Sequence, residues 1–278
     1  MSNILWLASY PKSGNTWVRA FLANLIADGS DPLPLAELSN YCRDEAVPEL
    51  FTALAGQPST ELDAAQLCAL RPRVHARIAA SQPGTVLVKT HNMNGSFEGH
   101  ALHNPEVSAG AVYVVRNPLD VALSMTHHFG LSVDEAIDRL ASEELATGND
   151  ELFVAQILGS WSMHVASWTA MADPAILTVR YEDMLEKPGK TFGKIAGLVG
   201  LGDNRKRIER AIAHSSFQSL SKLERRDGFS EASNKTTRFF RQGRANQWRE
   251  ALDRDQVARI VADHREQMAR FKYIPKGY

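Results

Sequence analysis

Short apolar runs alternate along this chain with longer stretches of helical periodicity. Residues 4–9, 85–90, 111–116 and 175–181 are runs rich in β-branched and other apolar side chains, and each predicts a buried strand. The first run leads directly into residues 16–26, where Trp17, Phe21, Leu22 and Leu25 fall at helical spacing. Asn117-Pro118 predicts a helix start at Asp120, and apolar positions through residues 153–171 predict another long helix. Val257, Ile260, Val261, His264, Met268 and Phe271 form one stripe of an amphipathic helix near the end. The alternation implies an α/β fold, a mostly parallel central sheet flanked by helices, in one domain over residues 1–278. Residues 28–84, rich in Pro, Ala and polar residues, and residues 218–240, polar and basic without clear periodicity, are candidates for mobile segments or lids.

Composition narrows the picture further. The chain has 278 residues, 44% hydrophobic and 23% charged, which is enough apolar material for a large core. Its net charge of −1 gives no overall bias toward nucleic acid or membranes, so an anionic ligand must be held by a local basic site. Cys42 and Cys68 have neither metal-ligand spacing nor a disulfide framework, which fits a reducing cytoplasm. No apolar run approaches the ~18 residues of a spanning helix, and the N-terminus lacks a signal-peptide pattern, so the expected protein is neither secreted nor membrane-spanning.

The candidate chemistry begins between the first strand and first helix, at Tyr10-Pro11-Lys12-Ser13-Gly14-Asn15-Thr16-Trp17. Backbone N–H groups and the dipole at a helix N-terminus favour an anion, Lys12 adds a charge, and Ser13, Asn15 and Thr16 add donors. The simpler reading is a tight turn with capping hydroxyls. A Walker A loop has its glycines before the lysine, whereas here Lys12 precedes Gly14. Arg116, with Ser124 eight residues on, either clamps a second phosphate or pairs with Asp120. Lys89-Thr90-His91 ends the second strand, and a lone histidine such as His91 is as readily structural as catalytic. The arginines around Phe239-Phe240-Arg241-Gln242-Gly243 also fit a plain solvated loop.

In their order these segments resemble the cytosolic sulfotransferases, whose phosphosulfate loop reads Y-P-K-S-G-T-T-W, with Asn15 here in place of the first threonine. The resemblance implies a P-loop-like nucleotide-binding fold and 3′-phosphoadenosine 5′-phosphosulfate (PAPS) as sulfuryl donor. The product is adenosine 3′,5′-bisphosphate (PAP), with no metal. By the same resemblance Lys12, Ser13, Gly14, Asn15 and Thr16 hold the 5′-phosphosulfate, Trp17 stacks on adenine, and Arg116 and Ser124 contact the 3′-phosphate. Tyr181, in Tyr181-Glu182-Asp183-Met184, lies near adenine, and Ser215 and Phe217 frame the base. Phe239, Phe240, Arg241, Gln242 and Gly243 complete the 3′-phosphate site, with Gln242 where the family has lysine. Residues 159–168 resemble the family's G-S-W-x-x-H-V-x-x-W helix, whose aromatics are assigned to the core.

The implied chemistry is transfer of a sulfuryl group to a hydroxyl of a small acceptor. His91 takes the acceptor proton, Lys12 stabilises the departing oxygen and Lys89 helps neutralise the transferred group. His127, His128 and Phe129, with Met93 and Phe97, are candidates for lining an acceptor pocket. Two competing functions are a P-loop kinase or NTPase, which the motif order disfavours, and a catalytically silent nucleotide-binding module. The acceptor and the oligomeric state are not carried over.

Overall fold

A computed structural model describes residues 3–278 apart from 233, 234, 236 and 237. In chain order the elements are β1 (Asn3–Ser9), α1 (Asn15–Ala27), α2 (Leu38–Tyr41), β2 (Cys42–Asp44), α3 (Pro48–Ala55), α4 (Ala64–Ala79), β3 (Thr85–Thr90) and a small ribbon of β4 (Ser96–Phe97) with β5 (His100–Ala101). Then follow β6 (Ser108–Val115), α5 (Pro118–Phe129), α6 (Val133–Ala141), α7 (Trp161–Thr169), β7 (Ile176–Arg180), α8 (Tyr181–Glu186), α9 (Pro188–Leu198), α10 (Arg205–His214), α11 (Phe217–Asp227), α12 (Trp248–Ala251) and α13 (Arg254–Arg270). Five strands form one sheet in the order β2-β3-β1-β6-β7, with β1 and β2 both parallel to β3. This is the mostly parallel, helix-flanked α/β architecture that the apolar runs predict.

The chain divides into two compact units. The first comprises residues 1–10, 42–113 and 142–178. It holds β1 to β3, and its core includes Ile4, Trp6, Leu7, Val86, Val88, Phe51 and Val74, all buried. The side chain of Asp63 caps α4 in a reciprocal box with Gln66, which fixes where that helix starts. The second unit comprises residues 11–41, 114–141 and 179–278. Here α1 packs on α9 and α10, while α5, α6 and α13 pack together. The α13 stripe Val257, Ile260, Val261, His264 and Met268 is buried as its spacing predicts.

One expectation is corrected. Residues 153–171 do not form one helix: Gly159 takes a left-handed φ of 62°, Ser160 caps the amide of Met163, and α7 starts only at Trp161. The residues before it are extended, with Val154 N–H bonded to Ala46 O and Met93 N–H to Ile157 O. Residues 217–227 are helical. Leu220 and Leu223 form a narrow apolar stripe that packs with Ala20, Ala23, Leu35 and Leu38. Residues 233, 234, 236 and 237 of the stretch 218–240 lie outside the described residues. The stretch 28–84 is built largely of helices, with Glu45, Phe51, Arg71 and His75 fully buried. Among the described residues no helix is long and apolar enough to cross a membrane.

Candidate active site

In the second unit, the chain leaving β1 turns through Lys12 at φ 66° and Gly14 at φ 108°, with Ser13 between them outside the positive-φ region. Such alternation of backbone sign aims successive N–H groups at one point and makes an anion-binding concavity. Gly14 is required twice over, because a Cβ there would lie 2.7 Å from Tyr181 Cδ2 and 3.3 Å from Met184 Cε. Helix α1 then starts without a side-chain cap. The simpler reading, a loop whose hydroxyls merely cap the helix, therefore does not hold. Ser13 is 1% exposed and its hydroxyl has no hydrogen-bond partner among the described residues; the same is true of Trp17 Nε1 and Arg116 Nε. Buried donors in that condition are costly and fit a ligand that accepts hydrogen bonds. Thr16 Oγ1 donates to Glu231 (3.3 Å), which also takes Arg19 Nη1 at 2.5 Å.

Arg116 follows β6, and its Nη1 donates to the carbonyl of Lys12 at 3.0 Å, while its guanidinium rests 4.2 Å from the centroid of Tyr181. It does not pair with Asp120, whose carboxylate accepts the backbone N–H groups of Asn246 (2.7 Å) and Trp248 (3.1 Å). The turn after Arg116 is held by Glu182, which accepts Asn117 N–H at 3.1 Å and the Tyr273 hydroxyl at 2.6 Å. Glu182 of the Tyr-Glu-Asp-Met segment is thus a scaffold for the arginine loop.

The late motif is in the same unit. Glu224 on α11 accepts the N–H groups of Phe239 (2.5 Å) and Phe240 (3.0 Å), and the Phe239 ring lies 4.2 Å below Lys12 Nζ. Lys12, Ser124, His127, His128, Arg238, Phe239 and Arg241 line one pocket. Burial, then the charges of Arg116 and Arg244, push the Arg241 guanidinium below its ordinary value, and burial with Arg241 pushes His127 down. Crowded cations of this kind favour a nearby anion. Gln242 accepts from Arg244 Nε at 2.9 Å, and Gly243, at φ 61°, sits where a Cβ would enter the Phe217 ring. Ser215 is fully buried, and its one proton is committed to Ala211 O within α10. Trp17 packs edge-on against Tyr181 and Phe192, with centroids at 5.8 and 5.4 Å.

If this turn holds PAP as the resemblance implies, Gly243→Ala is expected to weaken its binding more than tenfold, since an order of magnitude corresponds to only ~1.4 kcal/mol and both space and backbone conformation are denied to a methyl group. Titration calorimetry on a variant of unchanged circular dichroism checks it.

In the first unit, β3 ends on Lys89 and Thr90. Lys89 Nζ donates to Asp44 at 2.7 Å across the β2–β3 register, a partner the sequence did not single out. His91 Nδ1 lies 2.7 Å from the carbonyl oxygen of Ser9. A carbonyl only accepts, so in the neutral ring the hydrogen is on Nδ1 and the basic lone pair is on Nε2. His91 C=O accepts from His164 Nε2 (3.1 Å), and Asn92 C=O from Trp168 Nε1 (3.1 Å). The residues assigned to the core of α7 therefore also brace the histidine. Their spacing of three and four placed them on one helix face, and only the folded loop shows what that face holds. Burial holds His164 down to about 3, so it is neutral. Among the described residues no group of His, Cys, Asp and Glu is arranged to hold a metal. Phe97 lies in the β4–β5 ribbon, half-buried, and His127 and His128 belong to the basic pocket.

A family model described as "Sulfotransferase domain" matches residues 3–272. Sulfotransferase 1A1 of Canis lupus familiaris is 26% identical over 95% of this chain and 83% of its own length. Flavonol 3-sulfotransferase of Flaveria bidentis is 27% identical over 93% of this chain and 79% of its own. Among solved structures, mouse sulfotransferase SULT7A1 complexed with PAP matches with a TM-score of 0.63 at 20% identity, covering 96% of this chain and 84% of that one. The structural likeness carries the fold, and the match over residues 3–272 carries the family. The chain belongs to the sulfotransferase domain family.

Proposed function

We propose that this sulfotransferase takes its sulfuryl group from PAPS and passes it to a hydroxyl of a small molecule, leaving PAP. The observation that carries the reading is the pocket in which Lys12, Ser124, Arg238 and Arg241 meet, with Arg116 fastened to the Lys12 carbonyl. Two phosphate-bearing positions on one nucleotide account for two cationic loops better than a single triphosphate does. The donor fits the residues present: the unpartnered buried Ser13 hydroxyl and Trp17 and Arg116 N–H groups, and the crevices at Gly14 and Gly243, are what a nucleotide would satisfy and fill. We assign Lys12, Ser13, Gly14, Asn15 and Thr16 to the 5′ end, Trp17, Tyr181 and Phe217 to adenine, and Arg116, Ser124, Arg241 and Gly243 to the 3′-phosphate. Phe239 and Phe240 shape the wall under Lys12. Gln242 adds no charge, and the proton of Ser215 is already used.

The bound donor supplies an activated sulfuryl group. His91 Nε2 receives the acceptor proton while Ser9 holds the opposite ring nitrogen. We assign Lys12 to stabilising charge on the leaving oxygen and Lys89, which donates to Asp44, to neutralising the transferred group. Two buried, unbridged cysteines accord with work in a reducing cytoplasm. The acceptor class is open to a screen of hydroxylated compounds with radiolabelled donor.

Calorimetric titration with PAP, paired with the transfer assay, tests the reading. Binding without turnover on any acceptor would leave a silent nucleotide module, and failure to bind PAP would sink the donor assignment. Because lysine and arginine side chains supply the positive charge, exhaustive chelation is expected to leave the rate within about twofold. Loss with EDTA and recovery with Mg²⁺ would point to kinase-like chemistry.

A further inference from the structure

We infer that Glu45 is a positioning residue for His91, acting through Thr90 and Asn92 on either side of it. The inference rests on His91 being the proton acceptor. β3 ends at Thr90, and the backbone of residues 91 and 92 is held by side chains in place of a strand ladder. His91 N–H donates to Gln156 Oε1 (2.8 Å) and Asn92 N–H to Thr90 Oγ1 (3.0 Å), while the two carbonyls accept from His164 and Trp168. All four backbone polar groups are thereby spoken for.

One of these anchors, Thr90, leads to a carboxylate that also holds the Asn92 side chain. Thr90 has a single hydroxyl hydrogen, and it goes to Glu45 Oε1. Its oxygen then accepts both Asn92 N–H and His103 Nε2–H, the latter at 3.2 Å. Asn92 Nδ2 donates to the same Glu45 oxygen at 2.8 Å, and Asn92 Oδ1 accepts Ile157 N–H at 2.7 Å. On the other oxygen, Oε2, Glu45 accepts from Arg71 Nη1 (3.0 Å) and His75 Nε2 (2.8 Å). Asn104 N–H donates to His75 Nδ1 at 3.2 Å, so the ring hydrogen that faces Glu45 is on Nε2. Four donors thus surround an ionised carboxylate, and Glu45, Arg71, His75, Thr90 and Asn92 are all 0% exposed. Burial alone would raise the Glu45 carboxyl, but the Arg71 guanidinium and the His75 hydrogen bond outweigh it and hold the group far below the usual carboxylate range. Burial likewise keeps His103 neutral, down to about 3, in agreement with its single ring hydrogen facing Thr90.

A buried carboxylate with both oxygens hydrogen-bonded in this way restricts the geometry around it. Residues 90 and 92 cannot slide without opening bonds to Glu45, and His91 lies between them. Packing alone does not ask for a carboxylate here; a well-packed apolar side chain would serve the core as well or better. The arrangement makes sense as orientation of the base.

The test compares Thr90→Val, Thr90→Ser, Glu45→Gln and His91→Ala in the full chain. Two readouts are used: kcat with PAP affinity, and the ¹⁵N shifts of the His91 imidazole. Thr90→Val keeps the shape and loses the hydroxyl; it is expected to lower kcat roughly 10- to 100-fold, the scale of a small misplacement of a reacting group. PAP affinity should stay within twofold, and the His91 ring should lose its fixed Nδ1–H signature. Thr90→Ser restores the hydroxyl and should restore both. Glu45→Gln should repeat the Thr90→Val pattern; if it fails to fold, the Thr90 pair decides. A folded Thr90→Val that keeps wild-type kcat and the Nδ1–H signature overturns the inference. Wild-type turnover in His91→Ala overturns the base assignment instead, and the two failures are separable because the ring signature is read without turnover.

Discussion

His91→Ala is expected to lower kcat by two to four orders of magnitude while binding of PAP stays within about twofold, the range for removal of a general base. The split follows from where the groups lie. His91 hydrogen-bonds within the first unit, to Ser9, Gln156 and His164. The nucleotide is assigned to groups of the second, from Lys12 to Gly243. A histidine that only supported the fold would also lower the melting temperature and donor affinity when removed. Steady-state kinetics on the acceptor found by screening, with calorimetry on the same variant, separates the two. Near-normal turnover would remove His91 from the chemistry, and a strongly acidic acceptor should escape part of the loss because it ionises without help.

If Arg116 holds the 3′-phosphate as proposed, Arg116→Ala is expected to weaken PAP at least ~100-fold, since two charge-assisted hydrogen bonds are worth about 1.5–3 kcal/mol each when partly desolvated. Adenosine 5′-monophosphate, which lacks the 3′-phosphate, should lose affinity far less, though not nothing. The bond from Arg116 Nη1 to the Lys12 carbonyl shows that the arginine also steadies the loop at the 5′ end. Arg241→Ala is the cleaner probe, because Arg241 reaches Gln247 and has no bond to that loop among those described. Arg116→Lys should keep some preference for the 3′-phosphate through its charge while losing the planar fork. Equal losses for both nucleotides in Arg116→Ala would mean that the residue serves the loop alone.

The turn between β1 and α1, which we assign to the donor's phosphosulfate, is legible in the sequence because its features are local. Lys12, Gly14 and the hydroxyls are neighbours in the chain, and the apolar run before them announces the strand. Strand β3 was read to the residue for the same reason. What could not be read depends on partners far apart in sequence. Arg116 offered two readings until the loop at residues 246–248 was seen to take the Asp120 carboxylate. Asp44 and Glu45 are adjacent acids at the end of a three-residue strand, too short for any period to register. One steadies Lys89 and the other reaches Thr90 and Asn92. Helix α7 was drawn too long because apolar residues continue upstream of Ser160, and there they serve extended backbone. Helix α11 was missed because two leucines among charged residues make too thin a stripe.

The division into units has a consequence for how the protein is made. Each unit is assembled from three separated stretches, and the chain passes between units five times. On the ribosome the phosphate loop therefore emerges long before the residues that complete it, since Tyr181, Glu224, Phe239 and Arg241 all come from the last hundred residues. Contacts of such sequence separation are slow to form. PAP added to a translation or refolding mixture then finds its assigned residues complete only once the chain has been made past Gly243. It can raise the yield of finished protein by trapping it, and it is not expected to rescue products truncated before that residue.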